Sequence, residues 1–292
     1  MRLQETKEQD EYPEPKGERF NDQPPWKRVL VLVAGATMNY LLALLLLVVM
    51  FAGLGRPVYS VVVEKPEQDT ASVSALANES NGLQTGDHIL KINGKNVYLI
   101  TDYLDALSGE KAGAEIPVLV SANGEMFTRT LVLAADANFA NMSDTQTLLK
   151  AMNIYGLFTV TEKQGFFESI GHSFVYSFKI GGTVLRSLGE LLTGKLGLSA
   201  MGGPVTTISM TAQAATSGLM SFLNIAAFIG VNLAVFNLLP VPALDGCKVI
   251  FCLIEWIRKK PVNRKVETII HLVGIIFLFG FAILVDLLQL FV

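Results

Sequence analysis

The sequence predicts a multi-span α-helical membrane protein with an inserted small β-rich soluble domain. Three observations carry this. Of 292 residues, 51% are apolar and mean hydropathy is +0.43, too high for an ordinary soluble chain; yet 17% are charged, too many for a chain made only of spans. Val29 to Gly55 holds no charged residue over 27 positions, where about 20 suffice to cross a bilayer. From Arg56 to residue 140 the pattern changes to short alternating runs punctuated by turn residues. The net charge of −3 gives no reason to expect nucleic acid as a partner.

Taken in order, residues 1–28 form an N-terminal segment, expected to be cytoplasmic, carrying Arg2, Lys7, Lys16, Arg19, Lys27 and Arg28. Residues 29–55 form the first span, too long in its apolar core for a signal peptide. Within 56–140, Tyr59 to Val63 and Gly86 to Val97 read as strands, the second closed by an Asn93-Gly94 hairpin turn. Ile116 to Ser121 and Met126 to Leu133 read as a second pair joined at Asn123-Gly124, with a helix from Asp102 to Ser108 between the pairs. Residues 141–215 form a linker. In it Phe167, Ile170, Phe174, Phe178, Leu185, Leu188 and Leu192 recur at helical spacing, interrupted by Glu168, Lys179, Arg186 and Glu190. Two readings stand: one or two amphipathic helices on the outer membrane face, or a helix packed on the soluble domain. Residues 216–292 form a C-terminal core with spans at Leu219–Leu239 and Thr268–Val285. The loop 258–265 carries Arg258, Lys259, Lys260, Arg264 and Lys265 and no acid, which makes it cytoplasmic and places residues 56–215 outside.

The chemistry concentrates at Asn237-Leu-Leu-Pro240-Val-Pro242-Ala-Leu244-Asp245-Gly246. Two prolines two positions apart cannot continue a helix, so the second span breaks here and its backbone is expected to run extended. Such backbone is tolerated at membrane depth only where protein or a wet cavity satisfies it. Asp245 follows the break in apolar surroundings. It is either a functional carboxylate or the N-cap of a short helix from Gly246 to Ile257, and local pattern leaves both open. Asn39, beside Ala34, Gly35 and Ala36, is either a helix-packing polar group or a catalytic one. His271 and Asp286 read as interfacial residues of the last span. No two of His88, His172 and His271 lie within eighty residues of each other, so no His-x-x-x-His pair exists among these residues. Cys247 and Cys252 read as reduced, buried thiols.

Gly82-Leu83-x-x-Gly86-Asp87-x-Ile89-x-x-Ile92-Asn93-Gly94 resembles the core of a PDZ domain, an α+β module. The resemblance implies that the insert is PDZ-like and binds extended peptides by strand addition, with Gly82, Leu83, Gly86, Asp87 and Ile89 as its motif positions. Asn-x-x-Pro-x-Pro-x-Leu-Asp-Gly resembles the signature of the site-2 protease family of intramembrane zinc metalloproteases. Trp26-Lys-Arg with Ala34-Gly35-Ala36-Thr-Met-Asn39, Met201-Gly-Gly-Pro-Val205 and the basic stretch from Arg258 to His271 resemble further segments of its bacterial sigma-factor-regulating branch. The resemblance implies one zinc ion with Asp245 as a ligand, and Asn237, Pro240, Pro242 and Leu244 as substrate-binding positions. It implies a multi-pass protein of a bacterial plasma membrane that cuts single-span substrates such as anti-sigma factors or signal-peptide remnants within the lipid bilayer. The family's His-Glu-x-x-His is absent from these 292 residues, so no catalytic glutamate is assigned. The chain is expected to lack its first catalytic span, with Met1 internal to a longer frame or the chain truncated, and to be inactive alone. The alternatives are a non-catalytic membrane adaptor with a peptide-binding PDZ domain, which the absent motif favours, and a transporter with a broken helix, which leaves the PDZ-like insert unexplained.

Overall fold

A computed structural model of the chain describes residues 20, 23–63, 82–135, 145–195, 197, 202–260 and 262–289. The N-terminal cations Arg2, Lys7, Lys16 and Arg19, the boundary at residue 140 and Met201 lie outside the described residues. Among the described residues three helices are long and apolar enough to cross a membrane: α1 (Pro25–Gly53), α6 (Leu219–Leu238) and α8 (Arg264–Gln289), the last from Lys265. They fall at the three positions that hydropathy predicts. The chain divides into two compact units, residues 1–36 with 237–278 and residues 37–236 with 279–292.

The larger unit contains the soluble insert. Its elements are β1 (Arg56–Val62), β2 (His88–Ile92), β3 (Lys95–Asn96), α2 (Ile100–Leu107), β4 (Glu115–Ala122), β5 (Glu125–Val132), α3 (Thr145–Ala151) and β6 (Gly156–Glu162). The strands form one antiparallel sheet in the order β5-β4-β2-β1-β6, with β3 paired to β2. Both Asn-Gly hairpins close as the sequence predicts: Asn93 and Gly94 have φ of 49° and 75°, and Asn123 and Gly124 have 53° and 84°. Alternate strand residues Ile89, Ile92, Ile116, Val118, Val120 and Leu131 bury against Tyr103 and Leu107 of α2 and Leu148 of α3. α2 begins where the Asp102 carboxylate accepts the N–H groups of Tyr98 and Leu99 at 2.7 and 2.9 Å. β6 joins the sheet from beyond residue 140 by pairing with β1 along its whole length, from Arg56 opposite Glu162 to Val62 opposite Gly156.

α4 (Phe166–Leu192) is a single helix of 27 residues. Its buried face is Ser169, Ser173, Tyr176, Ser177, Ile180 and Val184. Serines on that face allow close helix approach. Toward α1, Tyr40 Oη lies 2.8 Å from Ser177 Oγ, and the Phe51 and Tyr176 rings meet edge-on at 5.5 Å. Toward α6, Tyr176 Oη donates to Asn224. Toward the sheet domain, Lys179 pairs with Asp102 and Arg186 with Asp105, while Tyr98 Oη lies 2.8 Å from His172 Nδ1. The helix therefore packs on the soluble domain with one side and on apolar helices with another. Phe167, Phe174 and Phe178 stay exposed. The two sequence readings are thus not exclusive.

α5 (Pro204–Ser217) has no buried residue and is held at its start. Both Asp286 carboxylate oxygens lie 3.3 Å from Val205 N, and Thr206 Oγ1 donates to Gln289. A Cβ at Gly203 would fall 2.0 Å from Asp286 Oδ1, so a side chain there would displace the carboxylate. Asp286 is thus the N-terminal cap of a helix some eighty residues away, and not merely an interfacial residue.

Asp286→Ala orphans the Val205 N–H in the first turn of α5 and should cost about 1 kcal/mol locally. Hydrogen exchange in residues 204–217 reads it, and Gly203→Ala should speed exchange in the same residues by displacing the carboxylate. His172 titrates below the usual imidazole range because burial and then Arg56 disfavour its charge, against the pull of Glu168. The fold therefore prefers neutral His172. Its contribution is complete above pH 6.5 and falls as the pH drops from there toward the lowered folded value. The thermal midpoint of the chain should decline over that window, and His172→Phe should flatten the decline.

Candidate functional site

The site is built where α6 stops. Leu238 ends the helix, and α7 (Asp245–Arg258) begins after six intervening residues. The intervening backbone is not extended, as the prolines alone suggest, but folds into two tight turns. Val241 N–H donates to Leu239 O at 2.8 Å, and Leu244 N–H donates to Val241 O at 3.1 Å. The second turn has Pro242 at its first central position and Ala243 at its second, with φ of +81°. That is the pattern of a type II turn, in which glycine is the usual occupant where alanine stands here. Left-handed backbone costs an L residue about 1–2 kcal/mol. Ala243 is held in it by His271, whose Nδ1 accepts the Ala243 N–H at 3.1 Å.

Two glycines let the break close. A Cβ at Gly246 would fall 2.3 Å from Leu239 O and 2.5 Å from Leu238 O, so α7 folds back directly under the end of α6. A Cβ at Gly274 would fall 2.4 Å from Pro242 Cβ, so α8 lies flush against the turn.

Asp245 is the first residue of α7, and Leu244, with no side-chain bond, stands at the cap position. The carboxylate is therefore not spent as an N-cap. Its partner is Lys248 Nζ at 3.4 Å, and its side chain is 37% exposed. On α1, a Cβ at Gly35 would stand 4.0 Å from Asp245 Oδ2, so the carboxylate faces a bare stretch of helix. Asn237, in the last turn of α6, is half-buried with no hydrogen-bond partner among the described residues. Pro240 is exposed, and Pro242 and Leu244 are half-buried. Among the described residues no group of three or more His, Cys, Asp or Glu side chains comes together. Zinc takes three or four protein ligands, so these residues alone do not hold it.

The PDZ-like motif positions are placed differently from the peptide contacts expected of them. Leu83 and Ile89 are fully buried in the core. Asp87 is buried and committed to Arg129 at 2.7 Å and to Gln84 N–H at 2.8 Å. Gly82, with φ of +72°, sits where a Cβ would fall 1.9 Å from Thr130 O. Gly86, with φ of +96°, is an exposed turn residue. Leu83, Asp87 and Ile89 thus lie inside the domain, and the two glycines shape its turns. Val61 N–H donates to Asp87 O, and Val61 O accepts from Gly86 N–H, so Val61 faces β2. Its β6 partner Leu157, and by alternation Thr159 and Thr161, therefore turn their backbone groups outward. Pro57, opposite Thr161, fits because it has no N–H to offer. Among the described residues no strand covers that edge. Thr159 borders a cavity of about 620 Å³ lined also by Ile100, Thr101, Tyr176, Gln213 and Asn224. Burial raises Tyr176 to about 12, so its hydroxyl stays protonated. Sequence reading passed over β6, although the run Leu157-Phe-Thr-Val-Thr161 carries β-branched residues at strand spacing.

The model of peptidase family M50 matches residues 1–281. The chain is 32% identical over 264 residues to the regulator of sigma-W protease RasP of Bacillus subtilis, covering 90% of this chain and 59% of that protein. It is 30% identical over 264 residues to the zinc metalloprotease RasP of Bacillus licheniformis, with the same coverage. It is 31% identical over 241 residues to the regulator of sigma E protease of Haemophilus influenzae, covering 80% of this chain and 51% of that protein. The chain thus spans between half and three-fifths of the length of these relatives.

α7 is fixed to α1 by Arg28 and Glu255, whose side chains are 10% and 11% exposed; Glu255 also accepts Val262 N–H at 2.9 Å. Removing one partner of a buried pair costs about 3–5 kcal/mol because the other charge is stranded. Glu255→Ala should therefore lower the thermal midpoint in detergent far more than Lys248→Ala, whose ion pair is exposed.

Proposed function

Because the chain belongs to peptidase family M50, we propose that it works as an intramembrane zinc endopeptidase on single-span membrane proteins, with Asp245 supplying one ligand to one zinc ion. The observation that carries this reading is the Asp245 carboxylate: it stands at a helix break, is not consumed by capping, and faces bare backbone at Gly35. Relatives named as regulators of sigma factors support anti-sigma-type substrates, and their sources support a bacterial plasma membrane. The Lys and Arg of 258–265 support a cytoplasmic loop and an extracytoplasmic sheet domain.

A substrate helix must unwind before its amide can be cut. In this reading the half-buried Asn237 amide, which has no partner among the described residues, meets the unwound backbone. The break itself offers apolar surface at Pro240, Pro242 and Leu244 and carbonyl oxygens, but no free N–H, so it does not act as an added strand. The outward edge of β6 is suited to that role, and it receives an extended segment outside the spans. The adaptor reading draws on the same edge together with the lack of a three-ligand group among the described residues. In that case the chain binds and does not cut.

The test joins a family span bearing His-Glu-x-x-His ahead of residue 1 and measures zinc content and cleavage of a membrane-anchored reporter. Zinc should bind stoichiometrically and cleavage should follow. Asp245→Ala should lose both, and Asn237→Ala should lower cleavage while zinc stays. Zinc content unchanged by Asp245→Ala would remove Asp245 from the ligand set; zinc without cleavage of any reporter would favour the adaptor.

A further inference from the structure

His271 was expected to be an interfacial residue of the last span, and nothing in the proposed chemistry uses it. Its surroundings say otherwise. Between Pro240 and Leu244 the two prolines have no N–H, and Val241 and Leu244 donate within the turns. Ala243 is left, and its N–H points to no backbone acceptor; it donates to His271 Nδ1 at 3.1 Å. A nitrogen that accepts carries no proton, so this hydrogen bond places the ring's proton on Nε2, a buried atom without a partner among the described residues. The ring is steadied by Phe251 of α7, edge-on with centroids 6.2 Å apart. One turn further on the same face of α8, Gly274 lies flush on Pro242. The imidazole and the glycine thus bear on adjacent residues of one left-handed turn, two positions before Asp245.

We propose that His271 is a positioning residue: its imidazole fixes Ala243 in the left-handed conformation and so sets where α7 begins and where the Asp245 carboxylate points. The importance of that aim rests on the reading of Asp245 as a ligand; the clamp itself does not. Two native groups report on it without any assay of zinc or cleavage. The first is the ring. In the chain labelled with ¹⁵N-histidine and held in lipid nanodiscs, the signal that disappears in His271→Asn belongs to His271. It should show a protonated Nε2 and an accepting Nδ1, and the opposite tautomer would overturn the proposal. The second is Cys247, buried in the first turn of α7. With Cys252→Ser as background, His271→Ala should raise the rate of Cys247 alkylation roughly tenfold, about the factor that one lost hydrogen bond carries in a local opening. His271→Asn, whose amide oxygen takes the place of Nδ1, should stay close to the unsubstituted rate. Equal protection in the Ala variant, or equal exposure in the Asn variant, would sink the clamp. Should the Ala variant not fold, the tautomer of the unsubstituted chain decides the matter. Because neither readout involves metal or substrate, a failed clamp and a failed protease assignment remain distinguishable.

Discussion

A helix that breaks inside an apolar region is followed by non-helical backbone whose N–H groups must be met, and the C-terminal part of this chain is organised around meeting them. From Pro240 to Leu244 there are five positions and three N–H groups, because proline supplies none. Two are closed locally by consecutive turns and the third by a side chain from α8. The prolines thus have a second role besides ending α6: they reduce the number of donors that the break must satisfy. Gly246 and Gly274 follow from the same constraint, since turns this tight bring α7 against the backbone at the end of α6 and α8 against Pro242, where a Cβ does not fit. Asp245 then occupies a helix start with its carboxylate unclaimed by the cap.

Much of this was legible beforehand because it is local. Span positions follow from runs of apolar residues, hairpins from Asn-Gly pairs, and the break from Pro240 and Pro242. What was not legible is what crosses the sequence. β6 pairs with a strand about a hundred residues earlier, and a seven-residue stretch after a polar linker gives no hint of that partner. Asp286 caps a helix that begins eighty residues before it, and His271 meets a turn that lies twenty-eight residues before it. The PDZ-like motif shows the opposite error. Its positions mark the domain because they build it, and for that reason Leu83, Asp87 and Ile89 are inside it.

The expectation of an extended backbone after the prolines failed for a specific reason. Proline disfavours helix at its predecessor but is equally at home at the first central position of a turn. The sequence does not show which outcome prevails; that depends on whether a partner exists for Ala243 in its left-handed state. Here α8 provides one.

The way the sheet domain is joined to its helices has a kinematic consequence. Only Leu54 and Gly55 separate α1 from β1, and only residues 163–165 separate β6 from α4. β1 and β6 are neighbours, and their attached ends, Arg56 and Glu162, are paired side by side. At about 3.5 Å per residue these connections allow almost no translation. A Cβ at Gly55 would fall 2.8 Å from Glu162 O, so the two leashes run in contact. A body tied only at two adjacent points keeps one rotation, about the line through them, and here the Lys179–Asp102, Arg186–Asp105 and Tyr98–His172 contacts with α4 resist it. Residues at the Val62–Gly156 end of the two strands, six positions from that line, would sweep the widest arc, while Thr161 on the outward edge of β6 stays beside it.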